Sequence, residues 1–536
     1  MAQTTSIVQD DTEPDGDGMT LTRLAVALGE GQPLRCFEKT FYDGTETIPT
    51  LAIPRGVDDR SVPIYRRFAQ IGHVNLARII VDAAVSRQRI NGFRLVNDKT
   101  MRSTAADDMY ARSRMSVKAP KCFRDVGVHG RSYLYVTGPN DNNLVEHLSP
   151  WQCYATEDAA CVYAYDEVNQ VERLMLLRLV KDKDGGVSDV YVRTASRASE
   201  KRTLIRESDD PSVTDCAKTW STDRPSVWNP STDFQWEGAK QSLDYAVKCG
   251  RLPIFTVESP DGRSQLFPHF SSLQRIDQHL FDRMCIMAVQ SFKQRALKGT
   301  LPTTYSADDP AVLNGWAEEG DPIDYSNQFE TGFATMWMLP KDVDIWESEN
   351  TDLTPYETIL SGEVKRLAAA SATPLDILSP DVAGSAEGAS LKREGLVFKV
   401  EELNRLANDA LVGALQMALV ADGETGAAEE RFETMWLPVE LRSWTDISQA
   451  VSQGKGVFPV KTMWRKIAGF TEQEMAEAEQ DLTDTAFQQA LAAEASAMDS
   501  KTQAQSPGTL EGTLDSSSTL GDQSVPASFS DVGGDV

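Results

Sequence analysis

The hydrophobic positions between Ser271 and Asp422 recur at helical spacing in three blocks. The first predicts a helix from Ser271 to Lys298. Ser271 with Gln274 three residues on forms a capping box. At the far end stand Lys298, Gly299 suited to a left-handed C-cap, and Pro302, which forbids continuation. Such a helix is roughly 40 Å long. Ile276, Leu280, Met284 and Met287 form one stripe on it, and Phe281, Cys285, Ala288, Phe292 and Ala296 form another. A surface helix ordinarily carries one stripe. Two stripes describe a helix gripped from two sides; a core helix of a large monomer would show the same pattern.

The second block predicts a helix opened by Thr354 as N-cap, Pro355 at N1 and Glu357 closing a capping box. Tyr356, Leu360, Val364 and Leu367 share a face, and Pro374 stops it. A loop punctuated by Pro380, Gly384 and Gly388 follows. From about Ser385 to Asp422 a long helix returns, with Leu396, Val400, Leu403, Ala407, Ala410, Ala414 and Met417 on one side and Gly423 as C-cap. Gly395 and Gly413 inside it cost about 1 kcal/mol each against Ala, so a bend or a close contact is expected there.

Upstream, Thr20–Gly29, Pro33–Asp43 and Asn75–Arg89 read as helices, and Phe93–Val96 as a strand. From Val126 to about Arg193 the period changes to two: Ser132–Val136, Val162–Tyr165, Arg173–Val180 and Asp189–Arg193 are strand-like. Pro139–Asn143 and Lys183–Gly186 mark hairpin turns. Residues 194–248 are polar and weakly patterned, reading as loops and hairpins. Leu252–Val257 is a strand that turns through Pro260-Asp-Gly262 into the first long helix. Between the two capped helices, Pro302, Pro310, Pro322 and Pro340 preclude long elements, leaving strands at Phe333–Leu339 and Val343–Trp346. Trp316, Trp337 and Trp346 are many aromatics for a loop and indicate an interface, or else a small self-packed subdomain. Arg431–Leu441 is strand-like. Phe470, Thr471, Glu474 and Met475 form a staple and capping box that open a helix reaching about Met498.

Length and charge narrow the function. A chain of 536 residues suggests three or four structural units. Lys+Arg 53 against Asp+Glu 80 leaves a net charge of −27, which argues against a broad, tight nucleic-acid grip. Seven scattered cysteines read as free thiols. No run of about 18 apolar residues spans a membrane, and the acidic start is unlike a signal peptide.

The motif search yields no catalytic constellation. Gly454-Lys455-Gly456 resembles part of a phosphate loop, but position 449 is Gln and no Ser or Thr follows the lysine. In Gly384-Ser385-Ala386-Glu387-Gly388 the serine stands one place too early for a nucleophile elbow. The five histidines lie far apart, and His129 between Gly127 and Gly130 reads as a turn or core residue. Pairs such as Asp107-Asp108 and Glu318-Glu319 read as solvated surface.

The order of parts resembles the portal proteins of tailed double-stranded-DNA bacteriophages. The resemblance is carried by FYDG at 41–44, NLARIIVDAAV at 75–85 with NGF at 91–93, and VHGRSYLYV at 128–136 with Ser149-Pro150. It continues through RLPIF at 251–255, QRALKG at 294–299, ATP at 372–374, and GSAEGASLK at 384–392 before the long helix. It covers roughly residues 20–490, and the polar 194–248 insert departs from it. The resemblance implies an α+β, mainly α, portal-like fold. An α/β wing would occupy 19–270, β-rich over 126–257, with a helical stem at 271–299 and 354–373. A small α/β clip at 300–353 and a tunnel-loop region at 374–390 would follow. A long wing helix and strand at 391–439 and a helical C-terminal crown at 440–500 complete it, between disordered ends at 1–18 and 501–536.

By the same resemblance, copies of the chain form a ring, usually of twelve, around a channel for double-stranded DNA at one capsid vertex. Its partners would be the terminase large subunit, a head–tail adaptor, and the major capsid and scaffolding proteins. Its place would be the virion, after assembly in the host cytoplasm, with no cofactor, metal or membrane. Pro374, Pro380, Asp381, Gly384 and Gly388 become candidate tunnel-loop residues. Lys293, Arg295 and Lys298 become candidate basic residues of the channel lining, and Trp316, Glu318, Glu319, Trp337 and Trp346 candidates for the clip interface. Two other classes share the pattern: an oligomeric scaffold or adaptor without a channel, and a DNA-processing enzyme of the packaging machinery. The absent phosphate loop and carboxylate–metal pattern speak against the second.

Overall fold

The computed structural model describes residues 16–45, 62–96, 102–139, 144–198, 234–291, 295–325, 343–347, 349, 351–378, 386–424, 426–440, 444–454, 456–464, 470 and 472–503. It divides into two units, Met1–Ser443 and Trp444–Val536.

The first unit opens with α1 (Asp17–Glu30) and α2 (Gln32–Asp43), the latter ended by Gly44 at φ +69°. After α3 (Val62–Ile71) comes α4 (Leu76–Val85), whose N-cap Asn75 accepts the Arg78 N–H at 3.0 Å. Next are β1 (Ile90–Leu95), α5 (Thr104–Arg112), capped by the Ser103 hydroxyl, and α6 (Met115–His129), closed by Gly130 at φ +81°. Seven strands follow: β2 (Arg131–Val136), β3 (Val145–Leu148), β4 (Cys153–Ala155), β5 (Ala159–Asp166), β6 (Val171–Lys181), β7 (Val187–Ala198) and β8 (Gln235–Ser242). Then come α7 (Asp244–Cys249) and β9 (Ile254–Glu258).

The strands β4-β5-β6-β7-β8 form an antiparallel meander, and β3-β2-β9 a second antiparallel sheet. Around β5 and the middle of β6 the larger sheet is buried on both faces, while β8 is mostly exposed. On β5, Cys161 and Tyr163 pack under Leu21, Leu24, Ala25 and Leu28 of α1, while Ala160 and Val162 face the main core. That explains a strand whose residues read as a nearly continuous apolar run. Each α1 leucine so buried contributes roughly 2 kcal/mol. Asp17 fastens the helix to the sheet, accepting from Tyr191 at 2.6 Å and Arg178 at 3.0 Å and pairing with Lys240 at 2.8 Å.

The remaining elements of this unit are α8 (Phe270–Ser291), β10 (Arg295–Lys298), α9 (Pro310–Leu313), β11 (Asp344–Glu347), α10 (Thr354–Ala370), α11 (Leu375–Leu378), α12 (Ala386–Asp422) and β12 (Phe432–Trp436). The last strand pairs antiparallel with β1. Helix α12 has 37 residues and a length of about 55 Å. Its first half packs Leu396, Val400 and Leu403 against Ala83, Ala84 and Val439; its second half carries Ala410, Leu411, Ala414 and Leu415 into the main core. At Gly413 the helix meets β9 so closely that a Cβ would lie 2.6 Å from Phe255 Cε1.

Four local expectations change. The helix expected over Ser271–Lys298 ends at Ser291, and residues 295–298 form β10, paired Ala296 to Trp346 and Leu297 to Ile345. A strand partner nearly 50 residues downstream overrides local helical preference, which is worth only tenths of a kcal/mol per residue. The Ser271–Gln274 box does not open that helix, because a 3₁₀ turn at Phe267–His269 runs directly into it. Val126–His129, where the period-two stretch was expected to begin, closes α6 instead. The second capped helix starts at Thr354 rather than after it, with the Asp352 carboxylate accepting the Thr354 N–H at 2.9 Å.

Two helices, α5 and α6, stand outside the expected elements, although Met115, Ala119, Cys122, Phe123 and Val126 of α6 recur at helical spacing; Pro120 stands inside the second. The expected strand at Phe333–Leu339 and the turn at Asn140–Asn143 lie outside the described residues.

The second unit is helical: α13 (Trp444–Gly454), α14 (Val460–Met463) and α15 (Glu472–Gln503). Met463 and Met475 are buried, Lys461 pairs with Glu479 at 2.5 Å, and the Phe470 ring stacks on Trp464. Thr471 of the expected capping box lies outside the described residues.

Candidate functional site

Helices α8 and α10 run antiparallel, since Arg275 near the start of α8 pairs with Glu363 late in α10 at 2.9 Å, and Arg283 further along pairs with Glu357. Glu363 also takes Arg366 at 2.8 Å. At one end the pair is rooted in the core. Leu273, Ile276, Leu280 and Phe281 of α8 are buried, as are Leu367 and Ala368 of α10, and Asp277 accepts the Val74 N–H. At the other end it is bare: Met287 is 50% exposed and Ile359 48%. The two stripes read from the sequence are thus covered at their start and progressively uncovered toward Ser291.

Beyond the bare end lie β10 and β11 and the segment 300–325. That segment is knitted by its own backbone: Thr304 bridges Pro322, and Tyr305 and Asp321 bond at 3.0 Å. Leu301, Val312 and Ile323 are half-buried there, while other apolar side chains stay exposed. Trp316 is 83% exposed and Leu313 71%, and on β11 Trp346 is 55% exposed. Glu318 and Glu319 occupy the exposed turn beside Trp316. Trp337 lies outside the described residues.

The candidate basic positions are placed unevenly. Lys293 lies outside the described residues, while Arg295 and Lys298 stand on β10 opposite Glu347 and Asp344 in register. Each basic position therefore faces an acidic one across the strand pair.

The stretch after α10 is anchored on both sides. Ala372 adopts φ +52°, a left-handed conformation uncommon for alanine, and Ser371, Thr373 and Pro374 are buried there. Lys399 of α12 donates to the Ser371 carbonyl at 3.2 Å, and burial brings its amine down to about 8. Arg393, also on α12, donates to Asp376 of α11 at 2.6 Å. Pro380, Asp381 and Gly384 lie outside the described residues, and Gly388 falls in the first turn of α12.

His129 is a core residue. Trp151 Nε1 donates to its Nε2 at 3.3 Å, so Nδ1 carries the proton in the neutral ring and donates to Glu38 at 2.9 Å. Burial pushes the Glu38 carboxyl up to about 8 and the His129 ring down to about 3. Among the described residues no group of three or more His, Cys, Asp or Glu can hold a metal ion, and no helix is long and apolar enough to cross a membrane. No disulfide joins the described cysteines.

No family model matches the chain. It is 22% identical over 429 residues to the portal protein of Mycobacterium phage D29, covering 78% of this chain and 80% of that one. To the portal protein of Mycobacterium phage L5 it is 22% identical over 420 residues, covering 74% and 76%. Among solved structures, a chain of the neck of an empty GTA particle computed with C6 symmetry aligns at TM-score 0.36 and 13% identity, over 79% of this chain and 99% of that one.

Proposed function

We propose that this chain, a distant homologue of the mycobacteriophage portal proteins, assembles into a ring with a central channel at one capsid vertex. Through that channel DNA enters during packaging, driven by the terminase motor, and leaves during ejection; head–tail adaptors attach to the same ring. The observation that carries this reading is the similarity over more than three quarters of the chain to a protein named as a portal.

Two features support it. The α8–α10 projection leaves Met287, Ile359, Trp316 and Trp346 uncovered, which suits side chains closed off by neighbouring copies or docked partners. A ring of twelve carries 12 × (−27) = −324 formal charges, a field that discourages duplex DNA from adhering as it slides. In this reading 271–299 and 354–373 are the stem, 300–353 the clip, 374–390 the tunnel-loop region and 440–500 the crown.

Native mass spectrometry and electron micrographs of the purified protein test the proposal. A closed ring of about twelve subunits with an open centre is expected; a monomer at micromolar concentration and neutral pH refutes it.

A further inference from the structure

A cleft of about 750 Å³ opens between α4, the 86–89 turn, α11 and the start of α12. Four arginines line it, Arg78, Arg87, Arg89 and Arg393, against two carboxylates, Asp82 and Asp376, a balance of 4 − 2 = +2 in a chain of net charge −27. The carboxylates are already engaged. Asp82 takes Arg78 and Arg124, each at 3.3 Å, and the Tyr42 hydroxyl at 2.9 Å, while Asp376 takes Arg393. Among the described residues Arg87 and Arg89 form no ion pair. Burial and the neighbouring Arg393 charge push the Arg87 guanidinium down, as crowding of like charges does. Apolar wall is supplied by Ile79 and by Ile377, which is 37% exposed.

The complementary surface lies on the same helix that lends Arg393 to the cleft. Phe398 of α12 is 65% exposed, far outside the usual lot of a phenylalanine. Around it stand the exposed Glu394, Glu401 and Glu402. Of these, only Glu402 forms an ion pair among the described residues, with Arg405 at 3.9 Å. From Arg393 to Phe398 the helix turns five steps of about 100°, which leaves the two side chains about 140° apart around the axis. One copy therefore cannot close its own cleft with its own Phe398. A contact between two such opposed, unlike surfaces runs head to tail, the kind of contact that builds a ring where its rotation closes.

We propose that the cleft receives the acidic face of α12 from a second copy of this chain, Phe398 entering beside Ile79 and Ile377 while Glu394 and Glu401 meet Arg87 and Arg89. The inference rests on the ring reading and names where neighbouring copies engage. Arginine suits it because its planar fork binds carboxylates in pairs of hydrogen bonds.

The test uses full-length protein in three forms beside wild type: Arg87→Glu with Arg89→Glu, Glu394→Arg with Glu401→Arg, and all four together. Native mass spectrometry reads the fraction of rings against protein concentration, and circular dichroism verifies folding. Each double variant should raise the concentration at which rings dissociate by roughly tenfold or more, through like-charge contact. The fourfold variant should recover much of the loss. If wild type forms rings and both doubles dissociate at the same concentration as wild type, the inference fails while the ring reading stands. Loss in both doubles without recovery in the fourfold variant also refutes the pairing. Unchanged rings that no longer retain DNA in heads would assign the cleft to phosphate and overturn it. A wild-type monomer removes the ring reading and this inference together.

Discussion

Two glycines inside α12 should respond to the same substitution with opposite signs. At Gly413 an added methyl would land 2.6 Å from Phe255 Cε1 and 2.9 Å from Cδ1. Carbon atoms in contact prefer about 3.5–4.0 Å, so α12 and β9 must separate by roughly 1 Å or the ring must leave its rotamer. Phe255 is only 7% exposed and has little room to move. Overpacking of this kind costs about 1–3 kcal/mol. The gain in helix propensity from Gly to Ala returns up to about 1 kcal/mol. Gly413→Ala should therefore destabilise by about 1–2 kcal/mol net. At Gly395 the same methyl meets Ala372 Cβ at 3.6 Å, ordinary contact, so Gly395→Ala should stabilise by about 0.5–1 kcal/mol. For the Met1–Ser443 unit the unfolding entropy is about 0.9 kcal/mol per degree, so the expected shifts in Tm are about −2 °C and about +1 °C. Differential scanning calorimetry at one fixed protein concentration measures both, since assembly makes Tm concentration-dependent. An unchanged or higher Tm for Gly413→Ala would refute the close helix–strand contact.

Two further outcomes are expected. The Lys399 amine falls from 10.5 to about 8 on folding, so between those values the unfolded chain holds the extra proton. Stability from this group is therefore full above pH 10.5 and lost as pH falls toward 8. Lys399→Met removes a cost of up to about 3 kcal/mol and a hydrogen bond to Ser371 of about 1 kcal/mol. It should stabilise by about 2 kcal/mol at pH 7 and destabilise by about 1 kcal/mol above pH 10.5, where only the lost hydrogen bond counts; urea titrations showing a gain independent of pH would contradict this. Deleting Asp381 to Gly384 between the anchors made by Lys399 and Arg393 should leave rings intact and abolish DNA-filled heads in an infection complementation assay. Normal filled heads would defeat that expectation.

Much of the fold could be read along the chain wherever the cause is local. Asn75 and Ser103 lie within three residues of the N–H groups they cap, and Gly44, Gly130 and Gly423 adopt the positive φ that ends their helices. The period of the apolar residues likewise marks α4, α10, α12 and strands β2, β5, β6 and β7, because 3.6- and 2-residue repeats follow from one element meeting one neighbour. The ordered motifs that resemble portal proteins were legible for the same reason, and the similarity to two phage portals agrees with them.

What the chain conceals depends on partners far away in sequence. The end of α8 becomes strand β10 because Asp344–Glu347 pairs with it. The apolar run of β5 is explained once α1 covers its second face. Gly395 and Gly413 look alike until Phe255, some 160 residues upstream, is seen against one of them. The cleft joins Arg87 and Arg89 to Asp376 and Arg393, nearly 300 residues later, and no short pattern records that meeting. Capping and periodicity are settled within a turn or two of backbone; strand pairing, close packing and charge crowding are settled by whichever surfaces the folded chain brings together.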